Sequence, residues 1–273
     1  MPITINNKSI PLQGDEKTLI QRLRNYIDPV DKGWFNRLQP ANEGQIDELK
    51  QQLELNKAGI ELPLVYTEFL RHAGEGAGGL FLPTLRAEMS VSSLISCRVK
   101  LQINQEERNA PYYFTFLMDD LGNCYTMDLD YQFPKISLEE DYPVSANFEN
   151  FVLQSAVKCY ENKYYTQRIN FSASINALSN SEVGKKGLDL FEFVNDALEM
   201  YHLQKAWFND EYFYFAYSNK WSIFLDRSGG GFWGGVFLDE LQIGKDIGRV
   251  LSSKAGAHIY INGNTNPTAL QGD

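Results

Sequence analysis

No stretch of this chain limits its folding choices more than Gly74-Glu75-Gly76-Ala77-Gly78-Gly79. Four glycines in six residues cost too much backbone entropy to sit inside a helix, and the hydrophobic pattern changes character across them. Ahead of the glycines the apolar residues recur at helical spacing. Leu19, Ile20, Leu23 and Ile27 predict a helix over 16–27, with Asp15 as a candidate cap and Pro29 just beyond its end. Asn42 and Gln45 stand at capping-box spacing before Ile46, Leu49 and Leu53. Pro63 opens a third helix, whose face carries Leu62, Tyr66, Phe69 and Leu70 and which must stop by Gly74.

Behind the glycines the texture is that of strands. Residues 80–82, 99–103, 112–118 and 124–129 read as extended, and the last two flank the turn Asp119-Asp120-Leu121-Gly122-Asn123, which predicts a hairpin with a loop of about five residues. Phe148, Phe151, Val152 and Ser155 then predict a helix running to about Tyr160. The polar stretch Ser179-Asn180-Ser181 and Gly184-Lys185-Lys186-Gly187 reads as a domain boundary or long linker. Beyond it Leu188, Phe191, Val194, Leu198 and Tyr201 form a helical stripe. Strands follow over 212–217, 221–226 and 232–238, joined by short turns that imply an antiparallel meander. A helix over 239–252 and a strand over 258–261 precede a polar tail.

Runs of helices and runs of strands, rather than strict alternation, predict the α+β class and argue against a doubly wound sheet. The expected organisation is an antiparallel sheet flanked by helices over 15–160, followed by a second, smaller α+β domain over 161–273. Both halves share the order helix, aromatic meander, closing helix without a residue-level repeat. The second domain is therefore either of another type or a diverged second copy of the first.

Hydrophobic residues make up 43% of the chain and aromatics 13%, which excludes a disordered protein. The 25 Lys and Arg against 35 Asp and Glu leave a net charge of −10. Nucleic-acid binders concentrate bases to neutralise phosphate, so neither nucleic acid nor an anionic membrane is an expected partner, whereas a basic protein would be steered in. Cys97, Cys124 and Cys159 are odd in number and far apart, which predicts buried thiols rather than a disulfide framework. The first residues carry no apolar leader and no run of 18 apolar residues occurs, so a cytoplasmic location is expected.

The chemistry-bearing motifs are sparse. Residues 74–79 satisfy G-x-G-x-x-G, but they follow a helix and precede a short strand, the reverse of a dinucleotide-binding context. The glycine-rich Arg227–Gly235 stretch lacks the P-loop lysine, and places Phe232 and Trp233 either in a contact loop or in the core. His72, His202 and His258 show no metal-ligand spacing, and no nucleophile elbow is present. Asp128-Leu129-Asp130 would put two carboxylates on one face of a strand. These patterns assign no catalytic residue, no metal ligand and no cofactor.

The acidic segment from Asp119 to Asp141 says more. It carries seven acids, Asp119, Asp120, Asp128, Asp130, Glu139, Glu140 and Asp141, against one base, Lys135. Tyr125, Tyr131, Phe133 and Tyr142 are interleaved with them. Acids mixed with aromatics suit an interface to a basic protein surface, because aromatics anchor and charges steer. The alternative is a solubilising loop. The candidate partner-binding residues are Asp119, Asp120, Asp128, Asp130, Tyr131, Glu139, Glu140 and Asp141, with Phe232 and Trp233 on the glycine-rich turn.

The segment Gln45–Gly74, with Leu62-Pro63, Tyr66, Phe69-Leu70 and the small-residue stop at Gly74, resembles the signature of the SMI1/KNR4 (SUKH) superfamily. The hairpin over 113–129 is similar to that family's central hairpin, and Phe148, Phe151 and Val152 to the anchors of its closing helix. The likeness spans roughly residues 15–160. The chain departs from the family where Ala73-Gly74 replaces the usual Asn-Gly and where Asn123 stands at a position that is commonly acidic; Phe81 is the candidate for the aromatic that often follows the glycines. The resemblance implies an α+β protein-binding fold without common catalytic residues, whose bacterial members are widely immunity proteins against polypeptide toxins and whose fungal members are regulators linked to cell-wall synthesis. The expectation is a non-enzymatic immunity protein that neutralises a basic toxin, for instance a nuclease, by occlusion. An envelope-linked adaptor or an unrecognised enzyme are the alternatives.

Overall fold

The computed structural model of the chain describes residues 18–103, 112–129, 135–139, 142–227, 231–239 and 241–261. The architecture is α+β, with antiparallel sheets flanked by helices. The described residues fall into two compact units, 18–160 and 161–261.

The N-terminal unit begins with helices made by local chemistry. Helix α1 (Leu19–Ile27) is capped by Thr18, whose hydroxyl accepts from the Gln21 N–H; Asp15 lies outside the described residues. Strand β1 (Leu38–Gln39) is followed by α2 (Glu43–Gln52), which carries the full capping box. The Asn42 side chain accepts from the Gln45 N–H at 3.0 Å, and the Gln45 side chain accepts from the Asn42 N–H at 2.9 Å. A single turn, α3 (Leu55–Ala58), leads to α4 (Leu64–Ala73), which buries Tyr66, Phe69 and Leu70 and closes at Gly74.

The glycine run then becomes an edge. Gly76–Ala77 is β2, paired antiparallel with β1. Gly78 has φ +63°, and a Cβ there would lie 2.9 Å from the Trp34 indole nitrogen, which donates to the Ala77 carbonyl. Only glycine suits both the left-handed backbone and the close ring. The strand expected over 80–82 does not form. Instead α5 (Leu82–Leu85) begins there and α6 (Val91–Ser96) follows. A five-stranded sheet runs in the order β3 (Gln102–Ile103), β4 (Tyr112–Met118), β5 (Cys124–Asp128), β6 (Ile136–Leu138), β7 (Tyr142–Ser145). Helix α7 (Phe148–Tyr160) closes the unit. Tyr66 meets Phe114, Phe116 and Phe148 edge to face, and Phe81 and Phe151 stack beside them. This aromatic core is where α4, α7 and β4 meet.

The C-terminal unit is built on β8 (Gln167–Ala173), a strand absent from the expectations above although Ile169, Phe171 and Ala173 alternate with Arg168, Asn170 and Ser172. The polar stretch after it is no linker. It forms α8 (Ile175–Asn180) and α9 (Glu182–Lys185), with Ser174 and Ser181 as successive N-caps. Helix α10 (Leu190–Leu198) is capped by Asp189. The remaining elements are β9 (Gln204–Lys205), β10 (Phe213–Tyr217), β11 (Trp221–Asp226), β12 (Phe232–Leu238), α11 (Leu241–Ala255) and β13 (His258–Ile261). The six strands lie in the order β13-β8-β12-β11-β10-β9, all antiparallel.

One face of this sheet packs Phe171, Tyr214, Trp221, Ile223, Val236 and their neighbours with the apolar stripes of α10 and α11. On the other face Phe213, Phe224 and Phe237 stack in a ladder across β10, β11 and β12, and the Arg168 guanidinium lies over Phe237. Because the sheet is apolar on both faces, β10, β11 and β12 are almost wholly buried. No helix among the described residues is long and apolar enough to cross a membrane.

Candidate functional site

The acidic segment maps onto the five-stranded sheet, and the antiparallel topology splits it. Chain reversal puts the β4–β5 turn and the β6–β7 turn at the same end of the sheet, where Met118 pairs with Cys124 and Leu138 with both Tyr125 and Tyr142. The Glu139 N–H donates to the Cys124 carbonyl at 2.9 Å, tying the two turns together. Asp119, Asp120 and Glu139 thus gather at one end. Asp128 stands at the other, where its N–H donates to the Lys135 carbonyl and the Leu129 N–H to that of Tyr112. Asp130, Tyr131, Glu140 and Asp141 lie outside the described residues.

The gathered acids do different work. Asp119 builds the turn: its carboxylate accepts from the N–H groups of Leu121 at 2.9 Å and Asn123 at 2.8 Å, and from the Asn123 side-chain amide at 2.7 Å. Burial acts to raise its pKa, but the hydrogen bonds from Asn123, Leu121 and Gly122 outweigh it and hold the carboxyl below its usual value. Asp119 is also bridged to Ala87. Its carboxylate is therefore the strut of this turn. Asn123, at a position where an acid is common in the resembled family, serves as a donor here; a carboxylate could not make that bond.

Asp120 and Glu139 are exposed, and among the described residues no cation pairs with either side chain. Glu139 takes the left-handed backbone, with φ +50°, which suits a tight reversal. Between and beside them two large apolar side chains face solvent, Leu121 at 70% exposure and Tyr142 at 55%. Arg86 is exposed at the margin, and its carbonyl accepts from the Asp120 N–H. That end of the sheet thus carries two exposed apolar side chains and two carboxylates without a cation partner among the described residues. Leu121 was missed from the sequence, although an apolar residue inside a five-residue turn has little chance of burial.

The glycine-rich turn behaves otherwise. Phe232 is buried, packed on Phe171 within the sheet's helical-side core, so it offers nothing to a partner. The alternation of side chains along β12 sends it inward. Trp233, on the opposite face, is half-buried and set edge-on against Phe224 at 5.1 Å. Gly234 allows this register: a Cβ there would lie 2.1 Å from the Phe224 carbonyl oxygen.

The cysteines depart from the expectation of three buried thiols. Cys97 is exposed and Cys124 half-buried, while Cys159 is buried with its thiol directed at the Leu80 carbonyl. His72, His202 and His258 are exposed. Among the described residues no group of three His, Cys, Asp or Glu side chains is placed to hold a metal ion. The sequence did not flag Glu161, which is fully buried and accepts from the Ser222 hydroxyl within the C-terminal unit. No family model, curated protein or solved structure matches this chain.

Proposed function

We propose that this chain is a non-catalytic protein-binding module of the SMI1/KNR4 (SUKH) kind, acting as an immunity protein that captures a basic polypeptide toxin in the cytoplasm. The observation that carries this reading is the convergence of the β4–β5 and β6–β7 turns at one end of the five-stranded sheet, which brings the exposed Asp120, Leu121, Glu139 and Tyr142 to that end. Unpaired carboxylates raise the encounter rate with a positive surface, while exposed apolar side chains supply the desolvated contact that slows release. An occluding protein needs no reacting group of its own. It only has to cover the toxin's basic substrate-binding face.

The test uses the purified product of the adjacent gene as the analyte. The expected result is a one-to-one complex whose association slows as the Debye length is cut from about 30 Å at 0.01 M salt to about 8 Å at 0.15 M. D120N/E139Q should lower the association rate several-fold and flatten its salt dependence. L121A and Y142A should act on dissociation instead, each by about 1 kcal/mol or more. An association rate and salt slope unchanged in D120N/E139Q would remove this surface from the reading.

A further inference from the structure

The C-terminal unit carries a second surface, independent of the acidic turns. Helices α10 and α11 lie side by side on the sheet and leave between them an open recess of about 290 Å³. Its floor is the outer edge of the core, Val194, Leu198, Ile247 and Leu251. Its walls are Phe193, Ala197 and Met200 from α10 and the turn after it, facing Val250 on α11. Met200 is 74% exposed, an unfavourable placement for a long apolar side chain with no cover. Phe193 and Ala197 on α10 and Met200 on the turn after it recur at i, i+4 and i+7, so the apolar wall runs about 10 Å, two turns of a helix laid against it.

The charge beside the recess has one sign on the α10 side. Glu192, Asp196 and Glu199 repeat the same spacing one residue ahead of the apolar wall; all three are exposed, and no cation pairs with them among the described residues. On the α11 side Asp246 lines the recess, accepting from Gln242 at 3.2 Å and from Arg249 at 3.3 Å. Arg249 is thereby engaged, and Lys245 is the remaining base on that stretch of helix. An apolar groove two turns long, whose α10 rim is acidic and has no cation partner among the described residues, is complementary to one kind of occupant.

We infer that the α10–α11 groove docks an amphipathic helix of a polypeptide partner, whose apolar stripe enters between Ala197 and Val250 and whose flanking Lys or Arg side chains meet Glu192, Asp196 and Glu199. This surface gives the C-terminal unit a binding role of its own. It stands whether or not the acidic turns of the N-terminal unit contact anything.

The test titrates the full chain with two synthetic 18-residue amphipathic peptides. Both carry leucine on one helical face, one with lysine flanks and one with glutamate flanks. The expected result is saturable one-to-one binding of the lysine peptide, at least tenfold weaker binding of the glutamate peptide, and a loss of at least tenfold for the lysine peptide in A197F, which fills the groove without changing charge. M200Q, at a site too exposed to threaten the fold, should weaken binding several-fold, while D120N/E139Q should leave it within twofold. Equal binding of the two peptides, or affinity within twofold of wild type in both A197F and M200Q, would overturn the inference by showing diffuse attraction to an acidic protein. Self-association of the peptide-free chain in sedimentation, abolished by A197F, would overturn it in favour of a second copy as the occupant.

Discussion

The Glu139 N–H and the Cys124 carbonyl oxygen are joined across β5 and β6 at 2.9 Å, so two turns separated by some twenty residues of sequence meet at one end of the five-stranded sheet. The strut beneath that edge is Asp119. Replacing it with alanine strands the N–H groups of Leu121 and Asn123 and should cost about 1–2 kcal/mol, read as a lowered denaturation midpoint at an unchanged slope.

The same residue confers a pH dependence with a definite sign. Its folded pKa lies below the unfolded one, so as pH falls the unfolded chain takes up the proton first. The stabilisation is complete above the unfolded value, about 3.9, and is lost as pH drops through the folded value. Acid titrations of wild type and D119N should therefore converge at low pH and separate above about pH 4. Parallel curves would place the source of the shift elsewhere.

Tyr66 is fully buried against Phe114, Phe116 and Phe148, and its hydroxyl has no hydrogen-bond partner among the described residues. Tyr66→Phe keeps the ring and removes the stranded hydroxyl. It should raise stability by about 1 kcal/mol, whereas Tyr66→Ala should lower it by about 3–5 kcal/mol. Burial also pushes the Tyr66 phenol well above its usual value, so as pH rises past about 10 the unfolded chain loses its proton first and stability falls. The alkaline loss should begin near that pH and be smaller in Tyr66→Phe. Thermal melts across the alkaline range measure both effects.

Gly234→Ala should be among the most damaging single-methyl changes available. The new Cβ would fall 2.1 Å from the Phe224 carbonyl oxygen and 2.5 Å from the Phe171 ring, so β12 would have to shift against both neighbouring strands. Overpacking of this kind costs about 1–3 kcal/mol. A melting temperature equal to wild type would show that the three strands adjust more freely than the register implies.

The three thiols should titrate in a set order with an aromatic disulfide reagent. Cys97 is exposed and reacts first; Cys124 is half-buried and follows; Cys159 is buried and waits on opening of the N-terminal unit. Adding denaturant should accelerate Cys159 far more than Cys97.

Short-range chemistry made much of this fold legible in the sequence. The Asn42–Gln45 box is written three residues apart and needs no tertiary partner to form. The stop at Gly74 was equally visible; there a Cβ would meet Ala41 and the Leu70 carbonyl at 2.6 Å. The hairpin turn Asp119–Asn123 likewise carries its own hydrogen-bonding groups. Strand β8 was legible in principle, since Ile169, Phe171 and Ala173 alternate with Arg168, Asn170 and Ser172 at the period of a half-buried strand, but its place beside β12 and β13 is set by partners far along the chain. The serine-rich stretch after it looked like a linker because Ser174 and Ser181 are turn formers and helix caps alike.

For the candidate site the division is similar. The sequence alone established an acidic, aromatic-bearing segment, the turn at Asp119–Asn123 and the α+β order of helices and strands, since composition and local periodicity suffice for these. Only the tertiary structure decided that Asp119 is consumed as a strut, that Asp120 and Glu139 share an end while Asp128 is sent to the other, and that Phe232 is core. Those outcomes depend on strand pairing and on which face of a strand meets the helices. A one-residue slip in register would reverse the facing of every side chain on the strand, and that register is held by contacts distant in sequence.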